Sequence, residues 1–179
     1  MKRSSRILKI LVFVLLLIAG ALYAVGKTCG ELEYQTKVEM EAPLGFSWSV
    51  FQDPSHMRNW IRGFQRIEMV EGVIGQPGSQ YNIILEENGH QFTIEQTIVI
   101  LSPPDLMKYD IVNDYITGTT NIEFSSDLQR TSVVVTTKVK GQNAFKNLLV
   151  HWEKDGLTDQ DQDNWSKLKQ LVEAKYARH

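Results

Sequence analysis

The chain has 179 residues, 19 basic and 21 acidic, and a formal net charge of −2. Four of the cations precede residue 10, leaving 15 against 21 acids in the rest, which excludes the basic face a nucleic-acid binder needs and argues against a domain lying flat on anionic lipid. Cys29 is the only cysteine, so there is no intramolecular disulfide, only an incidental thiol or a bridge between neighbouring chains.

Lys2, Arg3, Arg6 and Lys9, with no acid among them, lead into the uncharged run Ile10 to Gly26. As a helix that run is about 26 Å long. Ile7 and Leu8 extend it toward the roughly 30 Å of a bilayer core, with Lys9 reaching the headgroups. Residues 1–26 are read as a basic flank and transmembrane anchor, with the N-terminus cytoplasmic and the domain outside by the positive-inside rule. The alternative is a cleaved signal peptide and a secreted domain. Ala19-Gly20-Ala21 has small-x-small spacing, but it lies inside the apolar run rather than beyond it. Residues 27–33 form a juxtamembrane connector.

Glu31 to Ala42 alternates, with Leu32, Tyr34, Thr36, Val38 and Met40 on one face, and predicts a half-buried strand ended by Pro43. Leu44 to Gln52 and Ser55 to Trp60 predict two short helices separated by Asp53-Pro54 and closed by Gly63. Six strands follow, over 64–74, 79–87, 90–101, 105–112, 115–125 and 131–140, with a tight hairpin at Asn88-Gly89. The C-terminal part predicts a helix from Ala144 to Lys154, an interruption near Asp155-Gly156, and a second helix capped by Thr158 and running to about Tyr176. Its apolar stripe is Trp165, Leu168, Leu171 and Val172. Six strands joined by short turns imply an antiparallel meander, and a single amphipathic helix must bury its stripe on that sheet.

Val38-Glu39-Met40-Glu41-Ala42-Pro43 followed by Ser47-Trp48-Ser49-Val50-Phe51, then Asp53-Pro54 with His56-Met57-Arg58-Asn59-Trp60, resemble the opening strand and helices of the START-like (SRPBCC) superfamily, which includes polyketide cyclase/dehydrase-type and lipid-transfer domains. Gly75-Gln76-Pro77-Gly78-Ser79, Thr131 to Val135 and Asn164 to Glu173 resemble its glycine turn, a late strand and its closing helix. The resemblance covers roughly Tyr34 to Ala174, and residues 34–176 are taken as the domain. It implies an α+β helix-grip fold, with a curved antiparallel sheet of about seven strands wrapped on a long C-terminal helix, here preceded by a transmembrane helix. It also implies a cavity for an apolar or amphipathic molecule, and no shared catalytic motif.

Trp60, Phe64, Tyr81, Phe92, Tyr109 and Phe124 are candidates for the cavity lining by face and position, each with core filling as its alternative. Gln96 interrupts an apolar strand face and needs a protein, water or ligand partner. His56 and His151 are general acid–base candidates near a pocket mouth, whereas His90 stands beside a turn and His179 ends the chain. No metal or cofactor motif occurs. Asp159-x-Asp161-x-Asp163 lacks the central glycine and closing glutamate of a calcium loop and reads as a helix-start acid cluster. The leading expectation is a membrane-tethered, non-catalytic carrier of a hydrophobic or amphipathic molecule or lipid, close enough to the bilayer to exchange it directly. A cyclase/dehydrase- or hydrolase-like enzyme and a tethered interaction module are the alternatives. The sequence fixes neither the ligand nor the oligomeric state.

Overall fold

The computed structural model describes residues 2–127 and 129–178, with side chains described from Leu8 onward. The side chains of Lys2, Arg3 and Arg6, and all of His179, lie outside the described residues. In chain order the elements are α1 (Lys2–Thr28), β1 (Leu32–Met40), α2 (Leu44–Gln52), a 3₁₀ turn (Pro54–His56) and α3 (Met57–Trp60). Then come β2 (Phe64–Glu71), β3 (Gln80–Glu87), β4 (His90–Ser102), β5 (Leu106–Val112), β6 (Ile116–Asp127), β7 (Arg130–Gly141), α4 (Ala144–Trp152) and α5 (Lys154–Tyr176).

The seven strands form one sheet in the order β1-β7-β6-β5-β4-β3-β2, antiparallel throughout. The meander β2 to β7 is thus closed by β1, which returns to pair with β7. The alternation read in β1 holds: Leu32, Thr36, Val38 and Met40 are buried, and Glu33, Lys37 and Glu39 are exposed. Asn88 and Gly89 both take positive φ, 52° and 78°, as a two-residue type I′ turn requires.

Helix α5 packs on β1 and against α2 and α3. Its stripe of Trp165, Leu168 and Val172 is buried with Val38, Met40, Ile122, Phe124, Val133 and Val135 in the main core. An aromatic cluster joins the layers. Trp165 stacks on Phe51 at 5.7 Å and 23°, and Trp48 meets Phe124 edge-on at 5.1 Å. Two contacts pin α5 at its flanks: Asn164 Oδ1 accepts from the Arg62 N–H at 3.0 Å, and Glu173 Oε1 accepts from the Glu41 N–H at 2.9 Å.

Three helix boundaries differ from expectation. The break between the last two helices falls at Glu153 (φ −86°, ψ 11°), whose N–H closes α4 on Leu149 O. It does not fall at Asp155-Gly156, because a helix tolerates an interior glycine at a cost of about 1 kcal/mol. Thr158 is accordingly no cap; its hydroxyl donates to Lys154 O within α5. Finally, α1 continues beyond Gly26 to Thr28, where the Thr28 hydroxyl donates to Val25 O.

Candidate functional site

A cavity of about 520 Å³ lies between the inner face of the sheet and the helices α2 and α3. Ile67, Tyr81, Ile83, Ile98 and Met107 supply its sheet wall, and Phe51, Met57 and Trp60 its helical wall. The pairing register explains why these residues share a face. Met69 stands opposite Tyr81, Tyr81 opposite Gln96, and Gln96 opposite Ile111, so one row crosses β2 to β5. The cavity-bordering helices follow the C-terminal end of β1, whereas α1 joins its N-terminal end. The cavity therefore stands at the end of the sheet away from α1.

The side chains of the lining that carry a polar atom are Gln52, Trp60, Tyr81, Gln96 and Tyr109. Gln96 is buried at 8 % exposure without a hydrogen bond to protein in the described structure. Trp60 lines the cavity with its ring, while its Nε1–H is covered by protein and has no partner. Tyr109 is only partly covered because one side faces the cavity, and burial pushes its phenol up to about 12, against a bond to Thr120 that lowers it and with the nearby Asp161 raising it. It therefore stays a neutral hydrogen-bond donor across the physiological range. Among the described residues, the lining contains no carboxylate, imidazole, lysine or arginine.

Of the residues expected to line the cavity, Trp60, Tyr81, Gln96 and Tyr109 do come together. Phe64, Phe92 and Phe124 do not. Phe124 is packed between Trp48 and Phe51 in the core, and Phe64 is buried at the start of β2. Phe92 is 40 % exposed and borders a separate open depression of about 1120 Å³ with Tyr115 and Gln142. It shares the inner face with Gln96, but β4 runs past the covering helices before reaching it. The two histidine candidates also stand outside. His56 pairs with Asp53 at 3.0 Å, and His151 Nδ1 lies 2.9 Å from Asn147 O on α4.

Behind Tyr109 the inner face turns polar. Tyr34, Thr137, Thr120 and Tyr109 stand opposite one another across β1, β7, β6 and β5. The two threonine hydroxyls are 3.3 Å apart. Next to this row, Thr36 Oγ1 donates to Asp161 Oδ2 at 2.6 Å. Asp161, one member of the helix-start acid cluster, points into the fold. Burial holds its carboxyl above the ordinary range, opposed by hydrogen bonds from Thr36 and Trp165. Burial, the Asp161 carboxyl and Tyr109 together hold the Tyr34 phenol well above its ordinary value.

This carboxyl makes stability depend on pH. Its folded pKa exceeds its unfolded one, so the folded state binds the extra proton, and stability falls as pH rises from the ordinary carboxylate value through the folded value. Asp161→Asn is expected to flatten that slope. Urea midpoints at intervals from pH 4 to 7, for both proteins, measure it; parallel profiles would show that the carboxyl is not held protonated.

No protein-family model and no curated protein matches this sequence. Solved structures match its fold. A seven-stranded antiparallel sheet packed on a long C-terminal helix is the helix-grip architecture, and the matches share this fold. Ara h 8.0201 is similar at a TM-score of 0.65 and 16% identity, over 80% of this chain and 98% of its own. Zhui aromatase/cyclase from Streptomyces sp. R1128 is similar at 0.59 and 14% identity, over 79% and 96%. The di-domain ARO/CYC BexL from the BE-7585A biosynthetic pathway is similar at 0.65 and 12% identity over 80% of this chain, which spans half of that protein. The chain has the START-like (SRPBCC), Bet v1-like fold, preceded by an apolar N-terminal helix.

Proposed function

We propose that this protein is a membrane-anchored binding or carrier domain for an apolar small molecule that carries a hydrogen-bond acceptor. The cavity is the observation behind this reading: its roughly 520 Å³ falls within the usual range for ligand sites, about 300–1,000 Å³. An apolar wall with a few convergent donors recognises a molecule that is mostly hydrocarbon with one or two oxygens. Gln52, Gln96 and the phenols of Tyr81 and Tyr109 belong to that lining and can supply such groups. A lining without carboxylate or imidazole favours binding over acid–base catalysis.

The anchor reading rests on α1. The 21-residue stretch Leu8–Thr28 contains an 18-residue window with a mean hydropathy of 2.6, and none of that window is buried by the rest of the protein. Such a surface is stable only in a nonpolar medium. Because the cavity stands at the end of the sheet remote from α1, its mouth faces water rather than the bilayer the anchor crosses. This replaces direct exchange with that bilayer by exchange with a soluble donor or an opposing surface.

Native mass spectrometry of the full chain released from detergent tests the reading. A co-purifying apolar molecule is expected, together with displacement of 1-anilinonaphthalene-8-sulfonate by the extracted fraction. No adduct and no dye binding would overturn it. Gln96→Met removes a polar group of the lining with little change in shape. It is expected to weaken binding by about 2–10-fold, the worth of one hydrogen bond, while leaving the melting temperature unchanged.

A further inference from the structure

Where α1 meets the domain, the join is built rather than loose. Gly26 is buried, and a Cβ there would lie 1.9 Å from Ala144 O, so α1 and the start of α4 touch backbone to backbone. Asn147, 2 % exposed, binds both sides of the joint. Its Nδ2 donates to Gly26 O at 3.2 Å and to Cys29 O at 2.8 Å, and its Oδ1 accepts from the Gly141 N–H at 3.1 Å. Helix α4 is therefore held against the C-terminal end of the apolar helix.

The other face of α4 is apolar and bare. Phe145, Leu149 and Trp152 recur at i, i+4 and i+7 and are 60 %, 44 % and 84 % exposed. Tyr115, in the β5–β6 turn beside α4, is 65 % exposed and lies under Lys146 Nζ at 5.2 Å. On α1, Lys27 Nζ lies 5.6 Å from the Tyr23 ring. Aromatic rings paired with lysines at the end of an apolar span are the usual composition of a membrane–water boundary. Trp152 is eight residues from Ala144, about 12 Å along the helix. The stripe is thus within reach of the interfacial layer, which is about 5–8 Å thick on each side of the hydrocarbon.

We infer that α4 is an interfacial helix, lying with Phe145, Leu149 and Trp152 in the surface of the bilayer that α1 crosses. The inference rests on the anchor reading above. The occupant is lipid rather than a protein partner because the stripe is continuous with the exposed apolar surface of α1. Its driving force is burial of apolar side chains. The acidic excess of the domain, which excludes adhesion through cations, does not oppose it. Docking α4 on the membrane would fix the domain upright, with its cavity turned toward water.

Trp152 supplies the test, because the other three tryptophans, Trp48, Trp60 and Trp165, are buried. The full chain is reconstituted in phosphatidylcholine vesicles with and without brominated acyl chains, alongside Trp152→Phe. Brominated lipid is expected to remove most of the emission that distinguishes the wild type from Trp152→Phe, equally at low and high salt. If the chain survives a carbonate wash in the vesicles but Trp152 is quenched by aqueous iodide and not by bromine, α4 stands in water and the inference fails while the anchor holds. Shielding from both quenchers would mean that another copy covers the stripe, which also overturns it. A chain that leaves the vesicles on washing refutes the anchor and the inference together.

Discussion

Leu168→Ala is expected to destabilise the domain by about 2–5 kcal/mol, the range for truncating a fully buried leucine. Leu168 has no exposed surface and sits on α5 between Trp165 and Val172, against the valines and isoleucine of the central strands. The site is poorly placed to collapse. Its neighbours on one side are strand residues held in register on both edges, and on the other the aromatic cluster of Trp165, Phe51 and Trp60. A cavity left there stays open, and the upper part of the range is expected. Chemical denaturation of the full chain in detergent measures the loss; a change below about 1 kcal/mol would mean that α5 is not the keystone of the fold.

Most of the architecture was legible in the sequence because each element carries its own period. Leu32 to Met40 alternates strictly, Asn88-Gly89 permits one kind of turn, and the Trp165 stripe repeats at helical spacing. The site was harder. Tyr81, Gln96 and Tyr109 lie on inward faces, which alternation reveals. Whether an inward residue meets a cavity or a packed helix depends on where α2 and α3 end, and no local pattern carries that. Phe124 and Phe92 share the inner face with the cavity residues, yet one meets Trp48 and Phe51 and the other passes beyond the helices. Asp161 illustrates the opposite case, where a signal was present. It stands four residues before Trp165 and seven before Leu168, in phase with the buried stripe, but as one of three acids near a helix start it reads as part of a helix-start acid cluster. Phase, rather than composition, decides the side on which a helical residue falls. The joint between α1 and α4 carried no signal at all, since Gly26 and Asn147 meet only through the fold.

Ile83→Trp is expected to abolish ligand uptake without harming the fold. Ile83 lies on β3 opposite Ile67 and Ile94 and lines the cavity, so a larger side chain grows into empty space instead of into a packed core. Overpacking normally costs about 1–3 kcal/mol. Here the added ring gains contacts that the empty wall lacks, and the melting temperature is expected to hold or rise. Binding should respond in the opposite direction. An apolar ligand depends on filling the volume the indole now takes, so dye binding and recovery of the co-purified molecule should fall by a factor on the order of ten or more, equivalent to at least about 1.4 kcal/mol. Gln96→Met and Ile83→Trp therefore separate the two halves of recognition. The first removes a donor and weakens binding modestly, and the second removes space and eliminates it. If Ile83→Trp binds dye and ligand as well as the wild type, the ligand is held elsewhere and the cavity is only a packing defect between sheet and helices.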